Sequence, residues 1–366
     1  MSSLRNSERR FEAIKRIESE DASIPDLERT PDEVCLATFW RQATLGVSHW
    51  RCLVPARHLP GQMLGFDIGE VAWDDKLDQL LLPRHRGVAV WSYLGDDARA
   101  RIALAWQDLG HKTLMELDDN YAYSPKKWGI NWAETHQDAQ SIIGYSFEQN
   151  RHLAGLVDGI IVSTPYLGDV YSEFNDNIFV CRNSIDPADW AHVERKDDGI
   201  FRIGYAGSNV HVFDFPLVRK ALKWAARQKD VEVCLMGFDH PPAWRGEMMP
   251  WQQDLPSYWN QLGLLDLGLA PLQDTPWGRS KSDIKAMEYA MAGAMPMVAR
   301  TEAYRPWTDM GWPNARTEDE WVELIQHAVR NRDWVREQAA VAKAYVLNER
   351  TIKHEIIRWE EAIFDS

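Results

Sequence analysis

From Trp50 onward, short runs of β-branched and aliphatic residues alternate with longer segments of helical periodicity, and this alternation most constrains the fold. It predicts parallel strands joined by helices, an α/β architecture. The predicted strands of the first half are Trp50–Val54, Gly87–Tyr93, Lys112–Leu117, Gly159–Ser163 and Asn177–Cys181. Those of the second half are Phe201–Ala206, Val231–Met236, Leu265–Leu272 and Met295–Ala299. Each half is therefore expected to form a Rossmann-like sheet, followed by C-terminal helices.

The length of 366 residues suits two domains of similar size with a ligand cleft between them. Asn183–Gly199, rich in Asp, Pro and charged residues, is typical of a linker. The predicted division is 1–187, then 188–349, and then a C-terminal helix at 350–366. We expect that helix to pack back toward the first domain.

Composition excludes several function classes. The net charge of −14 disfavours passive binding of nucleic acid, because polyanions are repelled. No apolar run reaches the roughly 20 residues that span a bilayer. The segment Met1–Glu20 is charged throughout and lacks an apolar leader core, so a cytoplasmic location without stable membrane insertion is expected. The four cysteines form no CxxC pair, which favours buried free thiols over zinc ligands or disulfides.

The segment 270–299 predicts a strand, a loop, a helix and a strand in about thirty residues. Ser280 and Asp283 have the spacing of a capping box, which predicts that the helix starts there. The start of such a helix points out of the carboxyl end of a parallel sheet. Its unpaired N–H groups and its dipole favour an anion at that place.

Four residues of this helix, Lys281, Lys285, Glu288 and Ala292, follow one another at spacings of four, three and four. This spacing places them on one side of the helix. Two lysines suit a pyrophosphate, and the Glu288 carboxylate could accept hydrogen bonds from both hydroxyls of a ribose. The alternative is a surface helix with solvated lysines and a weak Lys285–Glu288 pair.

The run that begins at Lys285 approximates the pattern K-x-x-E-Y-x-A-x-G-x-P-V-V-A. The match covers Lys285, Glu288, Tyr289, Ala292, Gly293, Pro296 and Val298, with Ala292, Pro296 and Val298 each one place later than in the pattern. This run resembles the donor-binding signature of GT-B glycosyltransferases, in particular the retaining family 4, or group 1, enzymes. The resemblance implies that Glu288 binds the ribose of a nucleotide sugar. It also implies that Ser280, Lys281, Ser282, Asp283 and Ile284 hold the phosphates and part of the sugar. Ser280 replaces the first glutamate of the family's E-x7-E arrangement, which leaves the sugar open.

Two glycine loops add to the predicted donor site. Gly207, Ser208 and Asn209 follow a strand, where a glycine lets backbone amides approach a phosphate closely. By the resemblance this loop lines the pyrophosphate site. In many members Arg and Lys follow, whereas here His211 and Asp214 stand nearby; the alternative is that these two cap a helix. Gly61 lies in the place of the family's other glycine loop, where His58 or Gln62 could join the sugar pocket.

Asp118 and Asp119 follow a predicted strand, at the edge where an open parallel sheet keeps its active site. They are candidate catalytic residues that could orient an acceptor hydroxyl, stabilise a cationic transition state or hold a metal. An exposed turn is the alternative. The resemblance implies no obligatory metal or other cofactor, because basic residues such as Lys281 and a helix start neutralise the leaving diphosphate.

The expected function is therefore transfer of a sugar from a UDP- or GDP-type donor to an acceptor hydroxyl, with retention implied by the resemblance. The partner on the donor side is a nucleotide sugar. The acceptor stays open among protein, glycan, lipid and modified DNA base. A sugar-nucleotide epimerase of the same fold and a catalytically degenerate nucleotide-sugar-binding protein are the alternatives.

Overall fold

The structure is a computed structural model. It describes residues 35–40, 46–59, 62–67, 87–92, 103–104, 107–108, 110–122, 147–196, 198–207, 211, 213–237, 247–250, 252 and 254–365. Within these ranges two six-stranded sheets form, and every pair of neighbouring strands runs parallel. The predicted α/β architecture is thus confirmed.

The first sheet has the order β2-β1-β3-β4-β5-β6. Its strands are β1 (Cys35–Trp40), β2 (Gln62–Asp67), β3 (Gly87–Ser92), β4 (Lys112–Leu117), β5 (Gly159–Val162) and β6 (Ile178–Val180). The described helices of this half include α1 (Val54–His58), α2 (Phe147–Ala154) and α3 (Pro165–Tyr171). Leu114, Leu117 and Ile161 are fully buried, as expected for strands covered on both faces.

The predicted strand Trp50–Val54 is wrong. A π-helical turn, His49–Leu53, runs directly into α1 at that place. Trp50, Cys52 and Val54 are all buried, and a short apolar run buried on every side has no periodicity that separates a strand from a helix. The first strand, β1, lies earlier in the chain and escaped the sequence analysis.

The second sheet has the order β12-β11-β10-β7-β8-β9. Its strands are β7 (Phe201–Ala206), β8 (Val231–Met236), β9 (Glu247–Met249), β10 (Leu267–Ala270), β11 (Met295–Ala299) and β12 (Asn314–Ala315). Its first helices are α4 (Pro216–Ala225), α5 (Leu255–Leu262), α6 (Pro276–Arg279), α7 (Ile284–Met291) and α8 (Arg305–Thr308). The helices α9 (Glu318–Arg330), α10 (Arg332–Glu349) and α11 (Ile352–Glu360) complete it.

Helix α7 packs on the sheet through Tyr289. The Tyr289 hydroxyl donates to the Leu269 carbonyl at 3.1 Å and accepts from the Ala206 amide at 2.9 Å, so it bridges β10 and β7. Gly268 makes room for the ring, since a Cβ there would lie 2.2 Å from it. This contact fixes α7 at the carboxyl edge of the sheet.

The C-terminal segment contacts the first sheet. Ile185 and Thr351 form a parallel bridge, and the Lys112 ammonium donates to the Ala362 carbonyl at 2.7 Å. Trp359 packs in the core formed by strands β3 to β5. In the part of the chain that the structure describes, no helix has both the length and the apolarity needed to cross a bilayer.

Candidate functional site

A cavity of about 370 Å³ lies where the carboxyl ends of the two sheets meet. Residues of both halves line it. Those from the first half and the linker are Gly46, Val47, Trp50, Arg51, Asp118, Asp119 and Asn183. Those from the second half include Gly207, His211, Met236, Tyr258, Lys281, Ser282, Ile284, Lys285, Glu288 and Tyr304. Eight predicted site residues are therefore brought into one cavity.

The predicted capping box at the start of α7 is wrong. The helix begins at Ile284, its N-cap is Asp283, and Asp283 makes no side-chain cap hydrogen bond. Ser280 instead ends the short helix α6, and its hydroxyl donates to the Pro276 carbonyl at 2.7 Å. The helix start still lies at the cavity, because Ser282 and Ile284 line it.

The Asp283 and Ser280 side chains do not line the cavity. The Asp283 carboxylate accepts two hydrogen bonds from the Arg350 guanidinium, at 2.5 and 2.9 Å, and one from the Trp307 indole at 2.9 Å. Ser280 is fully buried beside Asn120, whose amide donates to its hydroxyl at 3.3 Å. Both residues thus hold the backbone of the loop rather than face the cavity.

Lys281 reaches across the cavity to the first half. Its ammonium donates to the Asp119 carboxylate at 2.6 Å and lies 4.6 Å from the centre of the Trp277 ring. Burial raises the pKa of the adjacent Asp118 to about 8, and the carboxylates of Asp119 and Glu116 add to that shift. Burial therefore favours the protonated form of the Asp118 carboxyl, which can donate a hydrogen bond.

Lys285 lies in the first turn of α7, four residues after Lys281. Its ammonium donates to the Ala206 carbonyl, and burial lowers its pKa. A Cβ on Gly207 would lie 3.4 Å from this ammonium, so the glycine backbone is open to the space beside Lys285. A backbone without a Cβ next to a buried cation favours a phosphate group at this point.

Glu288 is 7% exposed and faces the same cavity. Burial raises the pKa of its carboxyl to about 7, against the opposing influence of the Lys285 ammonium and of the Tyr258 hydroxyl. That hydroxyl donates to the carboxylate at 3.2 Å. Glu288 lies about one helical turn beyond Lys285, and its carboxylate is close to Trp50 and Trp259.

A hydrogen-bond network in the wall of the cavity links the two halves. The Arg51 guanidinium donates to the Glu116 carboxylate at 2.5 Å and to the Asn183 side chain at 3.0 Å. The Asn183 amide donates in turn to the Ser282 hydroxyl at 2.7 Å. The network therefore connects β4 of the first half to the start of α7 in the second half.

Sequence reasoning missed Trp50, Arg51 and Tyr258, since the first two lay in the segment wrongly predicted as a strand. The sequence feature that could have indicated Trp50 and Arg51 is the position of a tryptophan and an arginine inside an otherwise apolar run. His58 bonds Asp186 at 2.9 Å and is not among the residues that line the cavity. The predicted site residues Gly61, Ser208 and Asn209 lie outside the described residues.

One group of described residues has the spacing of metal ligands. Glu232, Cys234 and Glu247 lie on β8 and β9, with their ligand atoms within 4.8 Å of one another. None of the three lines the cavity. The charged residues that line the cavity include Arg51, Lys281, Lys285, Asp118, Asp119, Asp254 and Glu288.

Solved glycosyltransferases share this arrangement of elements. HepE of Anabaena, in complex with UDP-glucose, matches with a TM-score of 0.60 at 12% identity, over 89% of this chain and 98% of that chain. A glycosyltransferase from Rickettsia africae matches with a TM-score of 0.61 at 9% identity, over 91% and 99%. An α,α-trehalose-phosphate synthase from Burkholderia xenovorans matches with 0.54 at 11% identity, over 87% and 82%.

No protein-family model and no curated protein sequence matches the chain. At sequence identities this low, a structural match establishes the architecture of a chain and not its activity. The structural matches, the two parallel sheets and the C-terminal helices together establish the fold of this chain. The chain has the GT-B fold, with two Rossmann-like domains facing across a cleft, and resembles the glycosyltransferases built on it.

Proposed function

We propose that this chain transfers a sugar from a nucleoside diphosphate sugar to an acceptor hydroxyl. One observation carries the proposal. A single cavity places Lys285, Glu288 and the start of α7 opposite Asp118 and Asp119 of the other half. A cation and a helix start suit a diphosphate, and a buried carboxylate one turn away suits a pair of ribose hydroxyls.

The donor would lie along α7. Glu288 would accept hydrogen bonds from the ribose, while Gly207, Lys285 and Lys281 would hold the diphosphate. The solved structure of HepE contains UDP-glucose, which favours a UDP-type donor over a GDP-type donor. The donor domain would be 188–349 and the acceptor domain 1–187, with 350–366 returning to the acceptor domain.

Stabilisation of the leaving diphosphate would supply the largest catalytic contribution. Lys281 and Lys285 carry positive charge at the place where negative charge develops, and a partly enclosed cavity strengthens that interaction. Asp118 and Asp119 would orient the sugar or the acceptor hydroxyl. The reaction would retain the anomeric configuration without a dedicated protein nucleophile and would require no metal.

The test begins with binding. Thermal shifts are measured with UDP, GDP and a panel of their sugars, because a ligand of the folded state raises the melting temperature. Glu288→Ala should abolish the shift given by the best nucleotide. Glu337→Ala, which removes an exposed glutamate of α10, should keep it. Equal nucleotide affinity in wild type and Glu288→Ala would refute the donor site.

Turnover then separates the alternatives. The best donor is incubated with and without candidate acceptors, and the products are separated by chromatography. Acceptor-dependent release of the nucleoside diphosphate supports transfer. Conversion of the donor into another nucleotide sugar without an acceptor would identify an epimerase and overturn the proposal. Binding without any turnover across the acceptor panel would identify a degenerate site.

A further inference from the structure

His211 lies four residues after Gly207 in the sequence, and its side chain lines the cavity with a defined orientation. Its Nδ1 lies 3.1 Å from the Asp214 Oδ2. An ionised carboxylate only accepts hydrogen bonds, so Nδ1 must carry a hydrogen. In a neutral imidazole the other nitrogen, Nε2, then carries a lone pair and is an acceptor.

Nε2 lies next to the predicted diphosphate position. A Cβ on Gly207 would lie 3.5 Å from the His211 Cδ2, the ring carbon bonded to Nε2, and 3.4 Å from the Lys285 Nζ. The Nε2 side of the ring and the ammonium therefore flank the same point beside the Gly207 backbone. An anion seated there would contact both.

The charges around His211 favour its neutral form while the cavity holds no anion. Burial lowers its pKa, and the ammonium groups of Lys285 and Lys281 act in the same direction from the side of α7. The Asp214 carboxylate on its own loop opposes them. The negative charge of a bound diphosphate would offset the positive charge of both lysines and so favour the protonated form of His211.

We propose that His211 is a ligand of the donor diphosphate and takes up a proton from solvent when the diphosphate binds. The proton goes to Nε2, while Nδ1 keeps its hydrogen and donates it in the hydrogen bond to the Asp214 carboxylate. Nε2–H then donates a charge-assisted hydrogen bond to a phosphate oxygen. A neutral ring in this orientation would instead present its lone pair to the anion. This inference rests on the proposed donor site.

The experiment measures proton uptake by titration calorimetry with UDP at pH 8, in two buffers of different ionisation enthalpy. The terminal phosphate of UDP, with a second pKa near 6, is fully ionised at that pH and does not contribute. Wild type should take up close to one proton per UDP. His211→Gln should bind about 10- to 100-fold more weakly and take up none.

Asp214→Asn gives the sharpest comparison. Its side-chain oxygen can still accept the Gln273 amide, which bonds Asp214 at 2.8 Å in the wild type. Its side-chain amide would donate to Nδ1, so the neutral ring would carry its hydrogen on Nε2 and could bind phosphate without a proton. We expect this variant to bind UDP with less than a tenfold loss and without proton uptake.

Glu288→Gln is the control for other titrating groups and should keep the uptake, with weaker binding. Uptake that is absent in wild type, or that survives in His211→Gln or Asp214→Asn, would overturn the inference and leave the donor site standing. Failure of wild type to bind either UDP or GDP would overturn the donor site itself, and this inference with it. Circular dichroism confirms that each variant is folded.

Discussion

The Lys281 ammonium lies 2.6 Å from the Asp119 carboxylate, and these two residues come from opposite halves of the molecule. The Lys281 side chain is 15% exposed, the Asp119 side chain is 16% exposed, and both line the cavity. The pair therefore joins the two halves across the cavity in which the donor site is proposed.

Replacing Lys281 by Met should lower kcat/KM for glycosyl transfer by about 10²- to 10³-fold, since a positioned donor to the leaving group is lost. Steady-state kinetics with the best donor checks this. The matched control is Lys220→Met, which removes an exposed ion pair of the same 2.6 Å length, to Asp319 on the surface. A loss no larger than that of the control would contradict the role of Lys281.

Glu288→Gln should change the pH dependence of stability. The pKa of Glu288 is raised from 4.5 to about 7, so between these values the folded state binds more protons than the unfolded state. The free energy of unfolding therefore falls as pH rises through this window. The variant lacks this loss and should be more stable than wild type at pH 8 by up to roughly 3 kcal/mol.

Urea unfolding at pH 5 and pH 8 measures the free energy of unfolding of the variant and of wild type. Nucleotide titration of the same samples measures the loss of UDP affinity. Glu288→Gln should bind UDP more weakly because an amide accepts fewer hydrogen bonds from a ribose than a carboxylate does. A stability difference between variant and wild type that is the same at both pH values would contradict the burial argument.

Asp283→Ala should destabilise the fold by about 3–5 kcal/mol, because it leaves the Arg350 guanidinium buried without its partner. Chemical denaturation measures this. The double variant Asp283→Leu with Arg350→Met should recover much of the loss, since no charge then stays buried. Glu361→Ala, which breaks the exposed 2.8 Å pair with Arg358, should change stability by less than about 1 kcal/mol.

Gly268→Ala should destabilise by about 1–3 kcal/mol, because its Cβ would overlap the Tyr289 ring and push α7 off the sheet. Gly168→Ala is the control. That glycine lies within α3, where the nearest atom to a Cβ is 3.4 Å away and where alanine is favoured by roughly 0.5–1 kcal/mol. Thermal melts of the two variants should shift in opposite directions.

The strands of the second half were predictable because they are continuous apolar runs between turn residues. Phe201–Ala206, Val231–Met236 and Met295–Ala299 agree with the sequence to the residue. The conformation of Trp50–Val54 was not predictable from an apolar run, because Trp50, Cys52 and Val54 are all buried and a buried helical turn gives the same apolar run as a buried strand. The local pattern carries no information on which of two buried conformations the tertiary contacts select.

In the segment 279–300, too, the sequence determined some features and the tertiary structure determined others. The sequence by itself determined that a helix carrying Lys285 and Glu288 on one side follows a loop at the end of a parallel strand, because periodicity and strand order are local properties. Only the tertiary structure decided that Asp283 pairs with Arg350 and that Lys281 meets Asp119. Those partners lie 67 and 162 residues away along the chain, and no local pattern encodes a contact at such a separation.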